Sequence, residues 1–199
     1  MVATVSVYFD FGGADTAPGT EQDVDALGPP TLRWKLADDA NIDTNNKLVI
    51  PNAGLGPYYS FWKHIYLYCD DPDGHTISNV KLYSDGANSF GTGVDLMVGL
   101  QFPTKTNASN AGYEVAALAA GSTVTSDELV AGHGGITSSA SIFNYTVSAP
   151  LSVTIGEAGN WINAAGETTN YVLTQINVAN TASVGTTTTE TFYWSYDEA

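Results

Sequence analysis

Lysine and arginine are almost missing from this chain. Six bases stand against 21 acids in 199 residues, a formal net charge of −15. All six (Arg33, Lys35, Lys47, Lys63, Lys81 and Lys105) lie between residues 33 and 105. A groove that follows a phosphate backbone needs several clustered cations, because counterion release supplies most of the sequence-independent affinity. This chain cannot build one, which excludes direct nucleic-acid binding and docking on anionic lipid through a polybasic patch. No apolar run nears the ~18 residues of a membrane-spanning helix, so no membrane partner is expected. The stretch MVATVSVYFDFGG has neither a basic n-region nor an extended apolar h-region, and no secretory signal is read there. Cys69 is the only cysteine, which excludes an internal disulfide and a Cys-based zinc site. Synthesis in a reducing cytoplasm is the expectation.

What the chain does have is alternation with a period of two; helical periodicity is nearly absent. Its 43% hydrophobic and 11% aromatic residues are enough to bury a core. Strands are read at 3–9, 31–37, 47–50, 58–69, 77–83, 93–102, 140–147, 151–155, 170–179 and 187–196. In the first, Val5, Val7 and Phe9 share one face; in the second, Leu32, Trp34 and Leu36 alternate with a solvated Arg33 and Lys35. Turn chemistry such as GPP, NAGLGP, DDPDG, SDGANSFGTG and GEAGN separates them. The reading is one all-β domain over 1–199, an Ig-like or jelly-roll antiparallel β-sandwich of about ten strands. Residues 114–130 permit a helical turn or two, with Ser126 as an N-cap before Asp127 and Glu128. Residues 10–30 are acidic and unperiodic, a long loop or a reaching arm.

Few groupings carry chemistry. Asp70, Asp71 and Asp73, in the turn Asp70-Asp71-Pro72-Asp73-Gly74, offer three carboxylates to Ca²⁺, which prefers six to eight oxygens. The EF-hand spacing is missing, so a solvated hairpin turn is the simpler reading, and no other cofactor is expected. His64, His75 and His133 are far apart, HExxH and Gly-x-Ser-x-Gly are absent, and Cys69 ends an aromatic strand as a small buried hydrophobe would. A glycosidase needs two carboxyls ~5–9.5 Å apart across a cleft. Nothing local brings the candidates Glu114 and Glu190 together. The expectation is a protein that is not an enzyme.

The aromatic side chains are more informative. Tyr58, Tyr59, Phe61, Trp62, Tyr66 and Tyr68 crowd one strand. Phe61, Lys63, Ile65 and Leu67 share one of its faces, and Trp62, His64, Tyr66 and Tyr68 share the other. Phe192, Trp194 and Tyr196 line one face of the last strand, and Trp161 follows the GEAGN turn. Such side chains build a sandwich core with a tyrosine ladder, or they form a contact surface, since Tyr and Trp carry a polar handle. Tyr58, Tyr59, Trp62, Tyr66, Trp161 and Trp194 are the candidates for an interface.

The hairpin WKHIYL and ISNVKLYSDG, the return strand GVDL, and the closing YVLTQ and FYWSYDE together resemble β-sandwich structural proteins of tailed-virus virions. The resemblance implies a capsid decoration (cement) or minor head–tail protein of a bacteriophage, made in the host cytoplasm. Its partners would be itself and other virion proteins, as a homo-oligomer or bound to a shell. No signature motif carries a functional residue over. Two alternatives stay open: a carbohydrate-binding or adhesin module stacking Trp161 or the Tyr58–Tyr68 face on sugar rings, and a self-polymerising extracellular filament subunit. A charge of −15 repels itself, so association should strengthen with added salt or divalent cations. Light scattering that is indifferent to ionic strength and chelator would contradict this.

Overall fold

The alternating strands each need an apolar layer on one side, and the chain supplies it by folding into two facing antiparallel sheets. The structure, a computed structural model, describes residues 2–28, 32–100, 102–106, 113, 115, 128–129, 136, 138–185 and 187–199. Ten strands run through them: β1 (Thr4–Phe11), β2 (Thr20–Asp23), β3 (Tyr58–Tyr59), β4 (Lys63–Asp71), β5 (Ile77–Tyr83), β6 (Val94–Leu100), β7 (Ser138–Ser141), β8 (Leu151–Ser152), β9 (Val172–Val178) and β10 (Tyr193–Glu198). The larger sheet has the order β2-β1-β4-β9-β6-β7, with β3 paired to β9; the smaller has the order β10-β5-β8. The all-β sandwich expected from the periodicity is the architecture observed.

The core lies between the sheets. Phe9 of β1, Ile65, Leu67 and Cys69 of β4, Leu96 and Val98 of β6, and Val172 and Ile176 of β9 meet Ile77, Val80 and Leu82 of β5 and Leu151 of β8. The inward residues of β5 are not spaced strictly by two. Asn79 adopts φ +52, and the register with β10 steps from Lys81–Ser195 to Ser78–Asp197. β5 therefore carries one extra residue, a β-bulge, which turns Val80 inward after Ile77. Asn tolerates the left-handed conformation better than most L-residues, and its amide donates to Asp197 Oδ2 at 3.0 Å.

The opposite face of the larger sheet is covered as well. Tyr66 and Tyr171, with Tyr8 and Tyr68 beside them, pack on Tyr113 and Val115. Trp62, Leu173 and Met97 pack on Leu129 and Ile136. At its described points, the chain between β6 and β7 is thus a third layer.

Several segments differ from the sequence reading. Residues 32–37 and 47–50 are coil. Their backbones make single bonds, Leu36 N–H to Asn46 O and Phe61 N–H to Lys35 O, rather than a ladder. Leu32, Trp34, Leu48 and Ile50 still pack on the inter-sheet core, so the alternation there reports burial without pairing. Lys35 is buried too, contrary to the solvated cationic face expected. Of the segment 10–30, the described residues 10–28 do not reach away as an arm: Asp10 and Phe11 finish β1, and Thr20–Asp23 folds back on it as β2. Glycine at 19 permits the close return, since a Cβ there would sit 2.0 Å from Phe11 O. Segment 140–147 leaves its strand after Ser141 for a 3-10 turn, Ile142–Asn144. The turns expected within 114–130 fall outside the described residues, apart from isolated positions.

Leu82 is 1% exposed on the middle strand of the smaller sheet. Leu82→Ala should cost about 2–5 kcal/mol in denaturant unfolding. A loss below ~1 kcal/mol would mean that the sheets do not pack through this side chain.

Candidate functional site

An ammonium or carboxylate taken out of water costs several kcal/mol unless it is paired. This chain nevertheless buries three of its few bases: Lys35 and Lys105 are 4% exposed and Lys63 is 0% exposed. Each meets carboxylates. Lys35 Nζ lies 2.7 Å from Asp39 and 3.3 Å from Asp43. Lys63 extends from the core face of β4, over the Phe9 ring, and donates to Asp39 O at 2.7 Å with Asp38 at 3.9 Å. Burial pushes the Lys63 pKa down to about 8, against the pull of Asp38 and Asp39. Burial also raises the Asp38 carboxyl, against the Gly12 N–H and Lys63 that favour its charge.

The third lysine marks the densest cluster. Pairing of β1 with β2 sets Asp10 opposite Glu21. Asp10 is fully buried; Tyr66 donates its hydroxyl to Oδ1 at 2.9 Å, and Tyr171 donates to Oδ2 at 2.7 Å. Lys105 Nζ lies 2.9 Å from Glu21 Oε1 and 3.9 Å from Asp10 Oδ2. It sits over the rings of Tyr66 and Tyr171, 4.3 and 5.1 Å from their centroids. Tyr113 closes the cluster, edge-on to Tyr171 and stacked on His64 at 4.2 Å. Burial raises the Asp10 pKa, against the lowering by Tyr171, Lys105 and Tyr66. Partial burial opposes the charge on Glu21 too, yet the bond and charge of Lys105 hold it below the usual carboxylate range. Burial and the neighbouring Asp10 push both tyrosine hydroxyls up.

Three backbone constraints fix Lys105 there. Its N–H donates to Asn170 Oδ1 at 3.0 Å. Tyr171 N–H donates to Pro103 O at 3.2 Å. Gly156 lies so close that a Cβ would come within 1.9 Å of Lys105 O. The sequence reading missed this set. The available signal is alternation in β1, which continues past Phe9 to put Asp10 on the face of Tyr8; Lys105, in the unperiodic PTKT, offers none.

The residues singled out from sequence are dispersed. Asp70 accepts from Ser6 Oγ at 2.7 Å, while Asp71 Oδ1 accepts the Asp73 N–H at 2.9 Å within the turn. Among the described residues no three His, Cys, Asp or Glu side chains converge as metal ligands. Tyr59, Trp62 and Tyr66 are buried in their own chain, which corrects their assignment to an interface: the layer between β6 and β7 covers Trp62 and Tyr66. Tyr58 and Trp194 are half-buried, and Trp161 is 47% exposed. Cys69 is a buried core thiol pushed up to about 11 by burial and by Asp70, Glu167 and Asp71. His75 Nδ1 lies 3.2 Å from Glu198, and Glu190 accepts from Ser89 N–H. His133, Glu114, Ser126 and Asp127 lie outside the described residues. No family model, curated protein or solved structure matches this chain.

The Lys63 pair makes stability depend on pH. Its folded pKa lies below the unfolded value, so between about pH 8 and pH 10 this group binds more protons in the unfolded chain and its contribution to stability rises with pH. This group should add about 2 kcal/mol across that window, read as the difference between the pH profiles of the wild type and Lys63→Met, because the raised Cys69 thiol and tyrosine hydroxyls pull stability down in both as pH climbs past about 9. Two profiles that run parallel from pH 8 to pH 10 would place the effect elsewhere.

Proposed function

We propose that this chain is a non-enzymatic structural subunit that works through contacts with copies of itself or with sibling proteins. We place it on a virion, as a capsid decoration (cement) or minor head–tail component. The observation that carries the reading is the disposition of its reactive groups. The three buried lysines, together with Tyr66 and Tyr171, are engaged with carboxylates inside the fold. An open groove of about 680 Å³ beside β6 is lined by a single carboxylate, Asp95, which accepts from Ser141 Oγ at 2.8 Å.

The outer surface offers contacts instead. β10 is an edge of the smaller sheet, and its Tyr193, 44% exposed, stacks on Tyr83 at 5.3 Å. An edge strand presents unpaired N–H and C=O groups to a neighbouring chain, and a tyrosine pair adds a flat amphipathic patch. The shortage of cations keeps such a subunit off nucleic acid during assembly. The virion setting rests on the resemblance of the sequence to such proteins.

A second reading has one observation of its own. Trp161 lies over Gly159, where a Cβ would come within 2.7 Å of the indole, and it stays 47% exposed. That leaves an aromatic surface on which a sugar ring can stack. Negative-stain imaging and light scattering of the purified protein separate the two. Assembly predicts particles or shell-bound copies that Tyr193→Glu weakens by ~10-fold or more, while Trp161→Ala has no effect. Monodisperse monomers, stabilised by an oligosaccharide through Trp161, would overturn it in favour of sugar binding.

A further inference from the structure

The cluster around Asp10 holds more than a salt bridge requires. An ordinary buried pair needs one base and one carboxylate; here a lysine amine sits between two carboxyls in different environments. Asp10 is sealed from water, with a hydroxyl donor on each oxygen. Glu21 is half exposed and bonded directly to the amine. We propose that Lys105 and Asp10 become joined by an isopeptide bond that the folded chain forms by itself, with Glu21 as the proton acceptor.

The atoms balance without any co-reactant. Glu21 takes one proton from the Lys105 ammonium, freeing the nitrogen lone pair. The amine attacks Cγ of the protonated Asp10 carboxyl, and a C–N bond forms. Charge that develops on the carboxyl oxygen is met by the Tyr66 hydroxyl, already aimed at Oδ1, as a preorganised donor pointed at a developing oxyanion. A second proton on nitrogen passes to the other oxygen, the C–O bond breaks, and one water leaves. Glu21 then returns its proton to solvent through its exposed side. Burial raises the Asp10 pKa and Lys105 lowers that of Glu21, each in the direction that the step requires.

Lys63 and Asp38 are also 3.9 Å apart, but that amine donates to a backbone carbonyl, Asp39 O, which is not a base. Lys63 is therefore the internal control. The bond would tie β1 covalently to the segment that covers the outer face, in a chain whose single cysteine cannot form an internal disulfide. It does not depend on the proposed assembly role.

Mass spectrometry of the denatured, purified protein tests this. The wild type should be lighter than its sequence by one water, and digestion should yield a branched peptide joining the regions of Asp10 and Lys105. Lys105→Arg, which keeps the positive charge, should have the full sequence mass. Glu21→Gln should form the bond ~100-fold more slowly or worse. Lys63→Arg should still lose the water. A folded wild type that keeps its full mass after prolonged incubation at neutral pH would overturn the proposal. So would a water loss that maps to Asp73-Gly74 or Asp85-Gly86, where a cyclic imide has the same mass, or one that persists in Lys105→Arg.

Discussion

The Asp10 carboxyl has no water to turn to, and the outer layer of the molecule is arranged around satisfying it. Its two oxygens take the hydroxyls of Tyr66 and Tyr171, which belong to β4 and to the residue just before β9. Lys105 and Glu21 complete the charge balance from the covering segment and from β2. One carboxyl therefore links four separate parts of the chain. Removing any partner would leave a buried polar group exposed to a low dielectric, where the cost of an unmade bond is greatest.

The same logic accounts for the use of cations generally. With six bases in the whole chain, placing Lys35, Lys63 and Lys105 inside leaves the surface more acidic than the composition suggests. Each buried lysine connects segments that no sheet ladder joins. Lys63 binds β4 to the coil carrying Asp38 and Asp39; Lys35 folds that coil on itself; Lys105 holds the cover to the larger sheet. Stable interior ties and an anionic, edge-bearing exterior suit a subunit that meets its neighbours by shape.

Much of the sandwich was legible in the chain because strands buried on one face must alternate. β1, β4, β5, β6 and β9 fall where alternation places them, while β10 keeps only the end of the stretch read at 187–196, since 187–192 are coil. The segment TLRWKLA alternates equally well yet makes no ladder, because periodicity reports which side is buried and says nothing about backbone partners. The bulge at Asn79 was hidden for the opposite reason: a strict period would send Val80 outward, and only the register with β10 shows the extra residue. In the strand of β4, Lys63 shares a face with Ile65 and Leu67, a pattern that marks a buried charge once the sandwich is known. Lys105 carried no local sign at all. Its site exists through contacts with Asp10, Glu21 and Tyr171, which are distant in sequence and meet only in three dimensions.

Amine-reactive labelling of the folded protein, read by peptide mapping, tests most directly whether buried lysines hold the layers together. Lys47, exposed on its coil, is the reference. Lys35 and Lys63 should label at least ~100-fold more slowly than Lys47, since each must wait for local or global opening; Lys105 should label no faster than these, and not at all once joined to Asp10. Labelling of any of the three at the rate of Lys47 would contradict the interior placement on which this structure rests.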